Sequence, residues 1–157
     1  MPTIGPAEWT VVLATLVVTI ACVVLHFEIL QLLNRRVVRP SRILVRDRHH
    51  RPTLLVVILA LLALHVAEIW LFGLAFYLLM QIDGLGSIVG YDTYDLFDCI
   101  YFSASTYTTV GWGELYPIGP LRFLAGVESL AGFMMITWSA SFTYLVMVRT
   151  WGSHQRD

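Results

Sequence analysis

The sequence predicts an all-α membrane protein. Three helices span the bilayer, and a fourth, shorter helix enters it and turns back into a non-helical loop. Three observations predict this. Of the 157 residues, 57% are hydrophobic and only 13% charged, whereas a soluble domain of this size carries about 25% charge. Three apolar stretches are long enough to cross a membrane and a fourth is not. The cationic residues are ten arginines with no lysine, and seven of them sit in one short connection.

The first span is residues 9–33, "WTVVLATLVVTIACVVLHFEILQLL". At 1.5 Å per residue it reaches about 37 Å, against a hydrocarbon core of about 30 Å. Nothing basic precedes it and its apolar run is too long for a secretory signal, so it is expected to remain as a span.

Residues 34–52, "NRRVVRPSRILVRDRHHRP", hold Arg35, Arg36, Arg39, Arg42, Arg46, Arg48 and Arg51. Short arginine-rich loops stay in the cytoplasm, which places the N-terminus outside. Arg36, Arg39 and Arg42 repeat every third residue, as voltage-sensing helices do, but Pro40 interrupts them. Contact with anionic lipid headgroups is the better reading.

The second span is residues 53–80. A glycine-rich, acidic turn region, residues 81–94, follows it. Residues 95–107, "DLFDCIYFSASTY", form a short helix, with Asp95 at the cap and Asp98 three residues on in a capping-box arrangement. This helix is too short to cross, so the chain must enter and come back.

Residues 121–148 form the last span, and Arg149, Trp151, His154 and Arg156 mark a cytoplasmic end. The short helix then opens from the outside. Cys22 and Cys99 lie in apolar segments without a CxxC pattern and read as small buried hydrophobes. A net charge of −1 gives no footprint for nucleic acid.

The stretch after the short helix, "TTVGWGELYP", residues 108–117, is poor in helix formers. Non-helical backbone at membrane depth survives only where protein buries it or water reaches it. The helix dipole puts partial negative charge at the bilayer centre, where a cation is stabilised. Gly111 and Gly113 adopt φ > 0 at no steric cost, so alternating conformations turn successive carbonyls to one side. Such a column, repeated about an axis, replaces the water around a cation. Thr109 adds a hydroxyl at the inner end and Glu114 a negative charge at the outer mouth.

These residues resemble the signature of tetrameric potassium channels, usually threonine-threonine-valine-glycine-tyrosine-glycine-aspartate, and the two-transmembrane bacterial channels are the most similar class. The resemblance covers about residues 53–148 and continues into "LYP" and "LAG" ending at Gly132. It implies that Thr109, Val110, Gly111, Trp112 and Gly113 form the ion-coordinating filter, with potassium at Thr109, Val110, Gly111 and Trp112. It further implies that residues 95–107 are the pore helix, that Gly132 falls near the gating hinge, and that four chains assemble. Two departures stand out. Trp112 replaces tyrosine or phenylalanine, and Glu114 replaces aspartate. Trp112 is expected to turn away from the axis and pack on the pore helix of its own or a neighbouring subunit. Ser105 stands where some members carry a bracing glutamate. Thr108, Ser105, Glu114 and Glu128 are therefore the expected filter supports. Glu128, one turn before Gly132, is expected to find a hydroxyl partner among Ser103, Ser105 and Thr106.

Four further ionisable residues lie in the spans: His26 and Glu28 in the first, His65 and Glu68 in the second. His65 and Glu68, at i and i+3, share a helix face, whereas His26 and Glu28 lie about 200° apart. Hydrogen-bonded pairing between helices is the plain reading, with pH sensing and a membrane-embedded metal site as alternatives. Met134, Met135 and Trp138 read as helix packing.

The expected organisation is an N-terminal span with its arginine-rich loop (1–52), a pore domain (53–148) and a short cytoplasmic tail (149–157). The expected protein is a multi-pass homotetramer in the cell membrane, passively conducting potassium, with no catalytic residues and no cofactor beyond bound potassium. A non-selective or non-conducting member of the same fold is the alternative.

Overall fold

The structure, a computed structural model, describes residues 5–38, 50–90 and 94–151. Arg39, Arg42, Arg46, Arg48, His154 and Arg156 lie outside the described residues, as do the side chains of Arg51 and Trp151. Most of the arginine-rich connection, and the lipid contact and charge spacing expected of it, therefore lies outside them.

Helix α1 runs from Pro6 to Leu33, α2 from His50 to Met80, α3 from Leu96 to Tyr107 and α4 from Leu121 to Trp151. Among the described residues, three stretches are long and apolar enough to cross a membrane: Pro6–Arg36, Thr53–Met80 and Leu121–Arg149. The helices run past the expected spans: α1 starts at Pro6 rather than residue 9, and α4 reaches Trp151 rather than residue 148. Residues 34–38 are not loop but continue α1 as a π-helical turn, Asn34–Val38. The Arg35 guanidinium donates to Gln31 Oε1 at 2.6 Å, a contact that the continuing helix brings within reach. Helix α2 begins at His50 and takes Pro52 into its first turn, where the missing N–H costs nothing.

The turn region after α2 holds a feature that sequence reasoning missed. Strand β1, Ser87–Val89, pairs antiparallel with β2, Tyr116–Ile118, in the register Ser87 to Ile118 and Val89 to Tyr116. The segment before the short helix is thereby tied to the segment after the glycine-containing loop.

The chain forms two compact units. One comprises residues 1–22 and 67–134. Its core includes Phe72, Phe76, Phe102, Tyr107, Leu121 and Leu124, all buried. The Phe76 and Phe102 rings meet edge to face at 5.0 Å. Lipid tails are as apolar as leucine, so close packing rather than escape from water joins these helices. Gly73 shows this: a Cβ there would lie 2.8 Å from the Ile100 Cα, so α2 and α3 meet backbone to backbone. The other unit comprises residues 23–66 and 135–157. Its core is Leu30, Leu33, Val57, Leu61, Leu64 and Val146, with Phe142 packed against it.

Candidate functional site

The site begins at the start of α3. Asp95 Oδ1 accepts from the Asp98 N–H at 2.9 Å, and the Asp95 N–H donates to Asp98 Oδ2 at 2.9 Å. The capping box expected from the sequence is formed, and it satisfies two orphan donors of the first turn. Cys99, Phe102, Ser103 and Tyr107 are the buried face of the helix. Their i, i+3, i+4, i+8 spacing fixes which side of α3 faces protein.

At its other end α3 unwinds in order. The Thr108 N–H donates to the Ala104 carbonyl at 3.2 Å and the Thr109 N–H to the Thr106 carbonyl at 3.0 Å. The next three N–H groups converge on one residue. Those of Val110 and Gly111 donate to the Ser105 carbonyl at 3.1 and 3.3 Å, and that of Trp112 donates to Ser105 Oγ at 3.4 Å. No peptide bond here is cis. In a trans peptide the N–H and the preceding C=O point in opposite directions. The carbonyls of Thr109, Val110 and Gly111 therefore all face away from Ser105 and the short helix.

The backbone angles that permit this alternate. Thr109 has φ 59°, Gly111 56° and Gly113 82°. The glycines were expected in this region and Thr109 was not. A non-glycine residue there costs about 1–2 kcal/mol, so surrounding structure must hold it, and bonds to Ser105 begin at the next residue. Sequence reasoning identified Ser105 by its side chain alone. Its backbone carbonyl takes two of the three bonds, and a backbone acceptor leaves no signature in residue type.

The side chains of the loop point outward from the chain. Thr108, Thr109, Val110 and Glu114 are exposed, and Trp112 is 66% exposed. Its own chain therefore leaves most of the Trp112 indole uncovered.

Behind the loop, two hydroxyl–carboxyl contacts hold α3. Glu128 is fully buried, and its Oε1 lies 2.5 Å from Ser103 Oγ. The same Ser103 Oγ lies 2.9 Å from the Ile69 carbonyl oxygen of α2. Of the three hydroxyl partners expected for Glu128, Ser103 is the one used. Glu68 is also fully buried, and its Oε2 accepts from the Tyr107 hydroxyl at 2.5 Å. That contact was not foreseen, although a carboxyl inside a span signals that a buried donor must be near.

Gly132 is buried in an unbroken helix. A Cβ there would fall on the Tyr107 carbonyl oxygen and lie 2.8 Å from the carbonyl carbon and 2.9 Å from the ring. The structure thus shows Gly132 as the point where α4 touches the end of α3.

The histidines belong to the other unit. His26 is fully buried, with its ring 5.6 Å from that of His65 and 5.1 Å from Trp138. Ser139 Oγ lies 3.4 Å from His26 Nε2. Glu28 is exposed, on a different face of α1 from His26. Of the residues considered for a metal or proton site, Glu28 therefore stands apart, while the His26 and His65 rings stand together. Met135 is buried while Met134 and Trp138 are partly exposed.

A family model described as an ion channel matches residues 53–149. Over 53 residues the chain is 40% identical to the inward rectifier potassium channel Kirbac3.1 of Paramagnetospirillum magnetotacticum, a stretch that covers 33% of this chain and 18% of that protein. No solved structure matches the chain. From three apolar helices, a half-length helix and the matched family, the chain is a multi-pass membrane protein that belongs to the ion-channel family whose model covers residues 53–149.

Proposed function

We propose that four copies of this chain surround a pore that conducts potassium passively, with the carbonyls of Thr109, Val110, Gly111 and Trp112 and the Thr109 hydroxyl as ion ligands. One observation carries the reading. Three successive N–H groups bond back to Ser105, so three successive carbonyls are presented on the opposite side of the strand. A single chain offers one such column, and a cage around a cation needs several, which favours a symmetric ring. The end of α3 brings its partial negative charge to the same place. The only ligand chemistry in this reading is oxygen around a cation, with no enzymatic step.

The neighbouring subunit is then the natural partner for the exposed Trp112 indole, whose N–H requires an oxygen once buried. The arginine-rich connection supports a topology with the N-terminus outside, the C-terminus in the cytoplasm and that loop near anionic lipid. The filter would then open to the outside, with Glu114 at its mouth.

The test is ion flux from liposomes holding the purified protein, under potassium and sodium gradients in turn. Potassium flux well above sodium flux is expected. Equal fluxes would instead favour a non-selective pore, and no flux would overturn the reading.

A further inference from the structure

We infer that Glu128 sits behind the loop as a neutral carboxylic acid that donates its proton to Ser103, so that Ser103 in turn donates to the Ile69 carbonyl. Ser103 Oγ is within hydrogen-bond distance of two acceptors, Glu128 Oε1 at 2.5 Å and the Ile69 carbonyl oxygen at 2.9 Å. A serine hydroxyl has one proton to give. The Ile69 carbonyl can only accept, so a full bond there uses that proton. The remaining contact is then a bond only if the carboxyl supplies the second proton.

Charge in this unit points the same way. Arg122 is the only basic residue in residues 1–22 and 67–134, and it is exposed. Among the described residues, Cys22 on α1 and Tyr107 on α3 lie within electrostatic reach of Glu128, and both also feel Glu68 on α2. All of these become negative or stay neutral, so none compensates a carboxylate. Glu128 Oε2 is buried and has no hydrogen-bond partner among the described residues. A carboxylate with one oxygen unpaired and no cation beside it is among the costliest groups to bury, whereas a carboxylic acid with one donated bond is not.

The consequence is a directed chain of bonds from α4 through α3 to α2. It makes Glu128 a positioning residue: it holds the helix whose Ser105 carries the loop, and touches no ion itself. Its link to conduction rests on the channel reading; the proton assignment does not.

The experiment is infrared spectroscopy of the purified full-length protein in lipid at neutral pH, comparing wild type with Glu128→Gln. The C=O stretch of a protonated carboxylic acid should be present in wild type and missing from the variant. Loss of carboxylate bands instead would overturn the proposal. If Glu128→Gln does not assemble, Ser103→Ala serves: it should shift the same carboxylic-acid band, and an unshifted spectrum overturns the proposal. A wild-type protein that shows the band but passes no ions would count against the channel reading while the proton assignment stands.

Discussion

The Tyr107 hydroxyl donates to Glu68 Oε2 across 2.5 Å, tying the last residue of α3 to the middle of α2. Tyr107 is also the residue whose carbonyl leaves no room for a side chain at Gly132 of α4. The point where the short helix gives way to the loop is thus gripped by two spans.

The first prediction concerns that bond. Tyr107→Phe keeps the ring against Phe72, 6.5 Å away between centroids, and removes only the hydroxyl. Taking one donor from a buried carboxyl costs about 1–3 kcal/mol. The protein should therefore unfold at a lower temperature than wild type. Glu68→Gln keeps an acceptor oxygen and should lose less. An unchanged unfolding temperature in Tyr107→Phe would show that the bond carries no stability.

A second prediction compares two glycines of the same helix. In Gly132→Ala the new methyl must displace the Tyr107 carbonyl, and the loop that follows moves with it. Ion flux should fall by at least about tenfold, the equivalent of roughly 1.4 kcal/mol of lost positioning. Gly126→Ala meets nothing within 4 Å and replaces a helix glycine by a better helix former, a gain of about 0.5–1 kcal/mol. It should conduct as wild type does. Equal behaviour of the two variants would remove the contact from the mechanism.

These contacts also show what the sequence could and could not reveal. The spans were legible because a membrane demands about twenty apolar residues in a row, and the expected 53–80 ends at the observed Met80. The short helix was legible because capping is local chemistry: Asp95 and Asp98 sit three residues apart and form the box. The sheet was not, because three-residue strands carry no period and their pairing joins residues about thirty positions apart. Thr109 was not, because its left-handed backbone is imposed by the bonds around it and threonine does not favour it. The same holds for His26, whose type signals a buried polar site but whose neighbours Trp138 and Ser139 come from a distant helix.

A third prediction separates backbone conformation from space in the loop. Gly111 has φ 56° and open space where a Cβ would go. Gly111→Ala therefore suffers no clash, and its penalty is the left-handed conformation, about 1–2 kcal/mol. Relief of that strain turns the Val110 or Gly111 carbonyl, so potassium flux should be lost while the assembly persists. Thr109→Gly is the converse: it removes the strain at φ 59° and should keep the fold, losing only the hydroxyl proposed as a ligand. Undiminished flux in Gly111→Ala would sink the carbonyl reading.

The last prediction turns on Ser105, because its two acceptors can be separated by mutation. Its carbonyl receives the N–H groups of Val110 and Gly111, and no substitution of the side chain removes that acceptor. Its hydroxyl receives the Trp112 N–H at 3.4 Å, a long bond, so losing it costs at the low end of the usual 0.5–1.5 kcal/mol. Ser105→Ala should therefore leave the inner part of the loop in place and loosen it from Trp112 outward. The expected result is a potassium-to-sodium flux ratio reduced a few-fold, about what such an energy converts to, with potassium flux itself retained. Ser105→Glu offers a longer acceptor to the same N–H, so its ratio should equal or exceed wild type. If Ser105→Ala abolished potassium flux outright, the hydroxyl would be holding far more than one N–H. If it left the ratio untouched, the carbonyl of Ser105 alone would be the anchor of the loop.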